Sequence, residues 1–213
     1  IMKREAIANK GIWVAKKRYM MNVFDEEGIR FDTPKLKIMG VEAVKSSTPE
    51  VCRGKIKEAI RMIMNKSEED LIKFVKDFKE VFMTLSPEEV AFPRSCNNVN
   101  KYIDSNSIYK KGTPIHVKGA LIYNHNINKH RLGMKYPLIR DGDKIKFLML
   151  KQPNTVKDTV ISFSTKIPYE FELHKYVDYD TQFEKTFTDP LRFILDSIGW
   201  KLEREATLEA FFG

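Results

Sequence analysis

"GIWVAKKRYMMNVFDEEGIRFDTPKLKIMG", residues 11–40, sets three consecutive cations, Lys16, Lys17 and Arg18, inside a run of strand-forming residues. Ile12, Trp13, Val14, Tyr19, Met20 and Val23 favour a pleated, half-buried backbone, so the pattern predicts strands over 11–24 and 29–39. "DEEG" joins them, and Gly28 supplies the positive φ that a tight hairpin turn needs. Lys35 and Lys37 continue the cations on the second strand, behind Pro34, whose missing N–H does least harm near a strand start. Alternate strand residues share a face, which points Lys17 with Tyr19 and opposite Lys16 and Arg18. A Lys–Tyr face can meet a phosphate together with a sugar or base edge. An exposed hairpin with solvated lysines has the same sequence pattern.

Composition sets the bounds. The chain has 213 residues, is 42% hydrophobic and carries a formal charge of +8. That is long enough for one large domain or two small ones with a real core. The basic balance favours anionic partners, nucleic acid or a membrane surface, although a merely soluble basic protein has the same composition. No apolar window of roughly 18 residues exists, so no membrane partner through a spanning helix is expected. "IMKREAIANK" at the start is charged and lacks an apolar signal core, which argues against secretion. Cys52 and Cys96 form no CxxC and no framework, as expected of reduced thiols in a cytoplasm.

Further along, "SSTPE" reads as a helix start, with Ser47 and Glu50 as a capping box and Pro49 in the first turn. Val51, Ile56, Ile60, Ile63 and Met64 follow a helical period to about Asn65. Ser67 opens a second helix with Leu71, Phe74, Val75, Phe78, Val81 and Phe82 on one stripe, and the two predict a helical hairpin. "AFPRSCNNVNKY" reads as a polar loop or short helix, and "TPIHVKGALIYNHNINKH" as a short strand running into a helix after Gly119. "DGDKIKFLML" and "KDTVISFS" read as strands. "YDTQFEKTFTDPLRFILDSIG" reads as a long amphipathic helix kinked or restarted at Pro190, with Gly199 as C-cap. The order predicts an α+β fold.

Chemistry is sparse. His125 and His130 do not share a helical face, and His116 and His174 stand alone, which favours structural roles over metal ligation. Asp141-Gly142-Asp143 is a turn signal. "IDSNSIYK", residues 103–110, has the outline of a magnesium-holding pair of aspartates, but Asn106 replaces the second carboxylate. There is no nucleophile elbow, no Cys–His arrangement and no phosphate-cradling glycine loop. Neither catalytic residues nor a metal site is expected.

The long string "KKRYMMNVFDEEGIRFDTPKLKIMGVEAVKSSTP", residues 16–49, closely resembles the end of the palm and the start of the thumb in family B replicative DNA polymerases of T-even-type bacteriophages. "MKREAIANKGIW" resembles the segment before it, and "NNVNKY", "IHVKGALIYN" and "EKTFTDPL" resemble successive thumb segments. The resemblance implies a β-hairpin palm remnant (1–40), a mainly helical thumb with small strands (41–205) and a clamp-binding tail (206–213). It implies primer-template DNA, the upstream polymerase half (exonuclease, fingers and catalytic palm) and the sliding clamp as partners, in the cytoplasm of an infected bacterium. The catalytic carboxylates and their Mg²⁺ would belong to the upstream half, leaving this chain without a cofactor and inactive alone, whether from a split gene or a truncated form.

By the same resemblance, Lys16, Lys17, Arg18 and Tyr19 grip the duplex behind the primer terminus, with Lys35 and Lys37 beside them. Lys45 contacts the primer strand; many family B members carry arginine around this position, so lysine keeps the charge but not the bidentate fork. Arg94, Ser95, Asn97 and Asn98 would touch the minor groove or its phosphates, although a buried polar loop would look alike. In the tail "EREATLEAFFG", Leu208, Phe211 and Phe212 would dock into the clamp, or else fold back on the thumb. A stand-alone DNA-binding or clamp-adaptor protein is the alternative reading.

Overall fold

The computed structural model describes residues 3–202. Leu208, Phe211 and Phe212 lie outside the described residues. The described residues divide into two compact units, one of residues 3–45, 52–81 and 187–202, the other of residues 46–51 and 82–186.

The first unit holds a three-stranded antiparallel sheet, β1 (Ala6–Ala15), β2 (Arg18–Glu26) and β3 (Ile29–Met39), in that spatial order. The single strand expected over 11–24 is therefore two strands, and Lys16–Lys17 is the turn between them, with Ala15 opposite Arg18. The alternation expected from Lys16 to Tyr19 fails for that reason. Lys17 takes a φ of 61° and the register slips between Trp13 and Ala15. No Gly, Asn or Pro announces this turn, so its sequence reads as uninterrupted strand. The second turn is as expected: Gly28 has a φ of 90° and its N–H donates to Asp25 Oδ1 at 3.0 Å.

Gly40 ends β3 with a φ of 68°, and a Cβ built on it would lie 2.2 Å from the carbonyl oxygen of Lys17. The close approach seats the end of β3 on the Lys16–Lys17 turn. A single 3₁₀ turn, Glu42–Val44, follows. The helical hairpin is present as α1 (Glu50–Asn65) and α2 (Glu68–Phe82). Ile56, Ile60, Ile63 and Met64 of α1 are buried, as are Leu71, Val75 and Phe78 of α2. Ser67 caps α2, accepting the Asp70 N–H at 3.2 Å. The expected box at Ser47 and Glu50 is displaced, because α1 begins only at Glu50. A reciprocal pair of that kind occurs instead at Ser86, whose N–H donates to Glu89 Oε2 at 2.9 Å ahead of the one-turn helix α3 (Pro87–Val90).

The second unit is built on the antiparallel sheet of β4 (Phe92–Ser95), β5 (Lys144–Met149) and β6 (Val160–Phe163), covered by α4 (Ile115–Lys129). Two expectations change here. "FPRS" is a strand rather than a loop, and helix α4 starts at Ile115 with Gly119 inside it. Gly119 looks like a breaker in sequence, but it is where the helix meets β6: an added Cβ would lie 2.8 Å from Ser162 N and 3.0 Å from the Ile161 carbonyl carbon. Ser162 Oγ then donates to the His116 carbonyl at 2.8 Å. Two antiparallel sheets with interspersed helices make the fold α+β, as the element order predicts.

Toward the C-terminus come α5 (Tyr179–Phe183), a π-helical turn (Glu184–Thr188) and α6 (Asp189–Leu195), which a 3₁₀ turn and Gly199 at φ 73° close. Pro190 restarts the helix in the first turn of α6, where its missing N–H costs least.

Both close-approach glycines are testable. Gly119→Ala should destabilise the protein by about 1–3 kcal/mol through overpacking, measured by urea denaturation. Gly40→Ala should cost a comparable amount, on the order of 1–3 kcal/mol, because it adds backbone strain to a collision with a carbonyl oxygen. Wild-type midpoints for both variants would show that neither approach is constrained.

Candidate nucleic-acid interface

In the first unit, the Lys16–Lys17 turn is exposed. Arg18, at the start of β2, is held from three sides. Its Nε–H donates to the Gly40 carbonyl at 3.0 Å, its Nη2–H donates to Glu42 Oε1 at 2.8 Å, and its guanidinium lies 4.9 Å over the Phe193 ring. Lys45 Nζ donates to the same Glu42 oxygen at 2.8 Å. The structure thus brings Arg18 and Lys45 onto a single carboxylate, with Lys16 and Lys17 in the exposed turn that immediately precedes Arg18. The Arg18 and Lys45 side chains remain 29% and 39% exposed, so a ligand can reach both.

Tyr19 sits in a cross-strand row with Trp13 and Met39, and the next row places Met21 opposite Lys37. Lys35 and Lys37 are two residues apart and therefore share the face of β3, about 7 Å from each other. Each has a local partner. Lys37 Nζ donates to Glu26 Oε1 at 2.6 Å, a bond that raises its pKa above the ordinary lysine value. Lys35 Nζ lies 3.7 Å over the Phe31 ring. A search for cations alone misses Glu42, although its spacing of three from Lys45 on a tight turn is a legible ion-pair signal. It also misses Trp13, which is 66% exposed with its ring over Gly11, where an added Cβ would lie 2.6 Å from it.

Arg94, Asn97 and Asn98 belong to the second unit, and they are not gathered around one group. Arg94 Nη1 donates to the carbonyls of Ser47 at 2.8 Å and Pro93 at 3.0 Å, and the guanidinium lies about 6 Å from the centroids of Phe92 and Phe147. Burial lowers its pKa. The same residue lines a pocket of about 300 Å³ with Ser46, Ser47, Ser95 and Lys144. Asn97 and Asn98 are exposed, and Asn98 takes a left-handed φ of 59° before a short 3₁₀ turn. Cys96, just before them, is buried, and burial pushes its thiol up to about 11, which makes it an inert core residue.

Three aspartates singled out in the sequence each accept a hydrogen bond. Asp141 accepts the Val99 N–H, Asp143 accepts the Arg140 N–H at 2.7 Å, and Asp104 accepts the Ser107 hydroxyl at 2.8 Å. Among the described residues no three His, Cys, Asp or Glu side chains are grouped as metal ligands. Nor is any described helix long and apolar enough to cross a membrane.

No protein-family model matches the chain. It is 34% identical over 224 residues to the DNA-directed DNA polymerase of Enterobacteria phage T4, an alignment covering 100% of this chain and 24% of that protein. It is 36% identical over 224 residues to the DNA-directed DNA polymerase of Escherichia phage RB69, covering 99% of this chain and 24% of that protein. The chain therefore spans about a quarter of the length of these relatives. Similarity along the whole chain to that share of two such enzymes bears out the resemblance to T-even phage DNA polymerases, and it is consistent with a C-terminal fragment of one.

Proposed function

We propose that this chain is the part of a family B phage replicative DNA polymerase that grips the primer-template duplex and tethers the enzyme to its sliding clamp. Residues 1–40 serve as the end of the palm, 41–205 as the thumb and 206–213 as the clamp-binding tail. The observation that carries the reading is the convergence of Arg18 and Lys45, from separate stretches of sequence, on Glu42 beside the exposed Lys16–Lys17 turn. An edge with four cations and one carboxylate suits a polyanion, and cations that meet phosphates fix register without reading sequence. Tyr19, Lys35 and Lys37 extend that edge along the sheet. Arg94, through its pocket with Lys144, together with Asn97 and Asn98, offers further backbone contacts. The two-metal chemistry of nucleotide transfer belongs to the upstream half, whose carboxylates hold the Mg²⁺ ions.

Binding to a fixed-length duplex should be nearly indifferent to sequence and fall steeply with salt, with a log–log slope of about −0.9 per phosphate neutralised. Lys17→Ala and Lys45→Ala should each flatten that slope by about one. Unchanged slopes in both would mean that these lysines are merely solvated.

Primer extension separates the roles. The pure chain should incorporate no nucleotide, and mixing it with the upstream half should restore synthesis. Deleting residues 210–213, which removes Phe211 and Phe212, should leave duplex binding intact while abolishing the clamp's enhancement of processive synthesis. The motive is that each buried Phe gains roughly 1.5–3 kcal/mol, enough for a modest contact that tethering then amplifies. Extension by the pure chain, or a full clamp response from the shortened one, would contradict the reading.

A further inference from the structure

Glu42 is the acidic residue at the centre of the cationic edge, and one of its oxygens accepts from both Arg18 Nη2 and Lys45 Nζ at 2.8 Å. We propose that Glu42 is a latch on the DNA grip: it holds Arg18 and Lys45 in ion pairs that a backbone phosphate must displace, and so keeps the grip reversible. This rests on the duplex-binding role proposed above and adds a residue that no cation search would select.

The geometry supports a latch over a permanent brace. With Glu42 in place the trio carries a net charge of +1, and without it +2. Partly exposed pairs such as these are individually weak, so a phosphate, which also offers several acceptor oxygens, can compete for both donors. Displacement requires no refolding. Arg18 keeps its bond from Nε to the Gly40 carbonyl and its seat over Phe193 when Nη2 lets go. Lys45 is a flexible point charge that can swing from the carboxylate to a phosphate. The freed carboxylate then stands close to the bound backbone, where like charge opposes binding. A polymerase must release and regrip its duplex at every step, and a carboxylate that recaptures both cations speeds the release.

The test is equilibrium binding of a labelled duplex across a salt series, with thermal unfolding of each variant alongside. Glu42→Gln, nearly isosteric, should tighten binding about three- to tenfold, the worth of one or two exposed pairs. It should also steepen the log–log salt slope by up to about one. Glu42→Asp, which restores the charge, should bring affinity back toward wild type. If the Gln variant does not fold, Glu42→Ala serves in its place with the same expectation. Unchanged or weaker binding by a folded, charge-neutral variant overturns the latch and leaves Glu42 as a brace for the turn. Lys17→Ala separates the two proposals: if it weakens binding while the Glu42 variants do nothing, the latch alone falls. If the wild-type chain binds no duplex at all, both fall.

Discussion

The candidate interface depends on a contact between two backbones. Gly40 leaves room for no side chain against the carbonyl oxygen of Lys17, and its φ of 68° is one that L side chains rarely adopt. Because the end of β3 can sit directly on the Lys16–Lys17 turn, the Gly40 carbonyl falls within 3.0 Å of Arg18 Nε. The chain leaving β3 then enters the short turn that carries Glu42 and Lys45. Charge attraction finishes this arrangement but does not create it. Several cations and one carboxylate on flexible stems would lose rotamer entropy on meeting, and weak surface pairs offset little of that. The glycine contact sets the backbones close together, and the ion pairs select among a few rotamers within that frame.

The second unit solves a comparable problem with polar side chains. Gln182 is fully buried, yet its amide is used at both ends, accepting from the Met149 N–H at 3.2 Å and donating to the Val90 carbonyl at 2.7 Å. Asn124 both donates to and accepts from the backbone of Ile139, each at 2.8 Å. Amides of this kind stand in for sheet or helix partners where the chain is irregular, and a buried amide left unsatisfied would cost about 1–3 kcal/mol. Arg94 belongs to the same class. Its hydrogen bonds go to two carbonyls of its own unit, so its charge is placed by structural bonds and only its remaining surface faces the pocket shared with Lys144.

What was legible in the sequence follows from which forces act locally. The helices at 50–65 and 68–82 announced themselves because their apolar stripe repeats at the helical period, and Gly28 because its turn needs a positive φ. The Lys16–Lys17 turn did not, since nothing in "AKKR" prefers a turn and the reversal is fixed from outside by Gly40. Gly119 misled for the opposite reason: the residue that weakens a helix in isolation is the one that lets it touch β6. At the site, the cations were readable one by one, together with the resemblance that assigns them to DNA. Their common partner was not, because it depends on where residue 42 lies relative to residue 18, a tertiary fact.

That distinction bears on how a basic protein grips an anion. A net charge of +8 only subtracts 29 Asp and Glu from 37 Lys and Arg, but an approaching phosphate meets differences between the partner a cation already has and the one it is offered. Lys37 has Glu26, Lys35 has the Phe31 ring, and Arg18 and Lys45 share Glu42, whereas among the described residues no ion pair holds Lys16 or Lys17. The turn lysines therefore exchange only water and counterions for phosphate, a gain that is entropic and steeply salt-dependent. The paired cations exchange one anionic or aromatic partner for another, a smaller gain that vanishes readily when the phosphate moves. Under the proposed grip on a duplex, an edge that mixes the two would offer a salt-sensitive contact for capture and a set of near-balanced contacts for release.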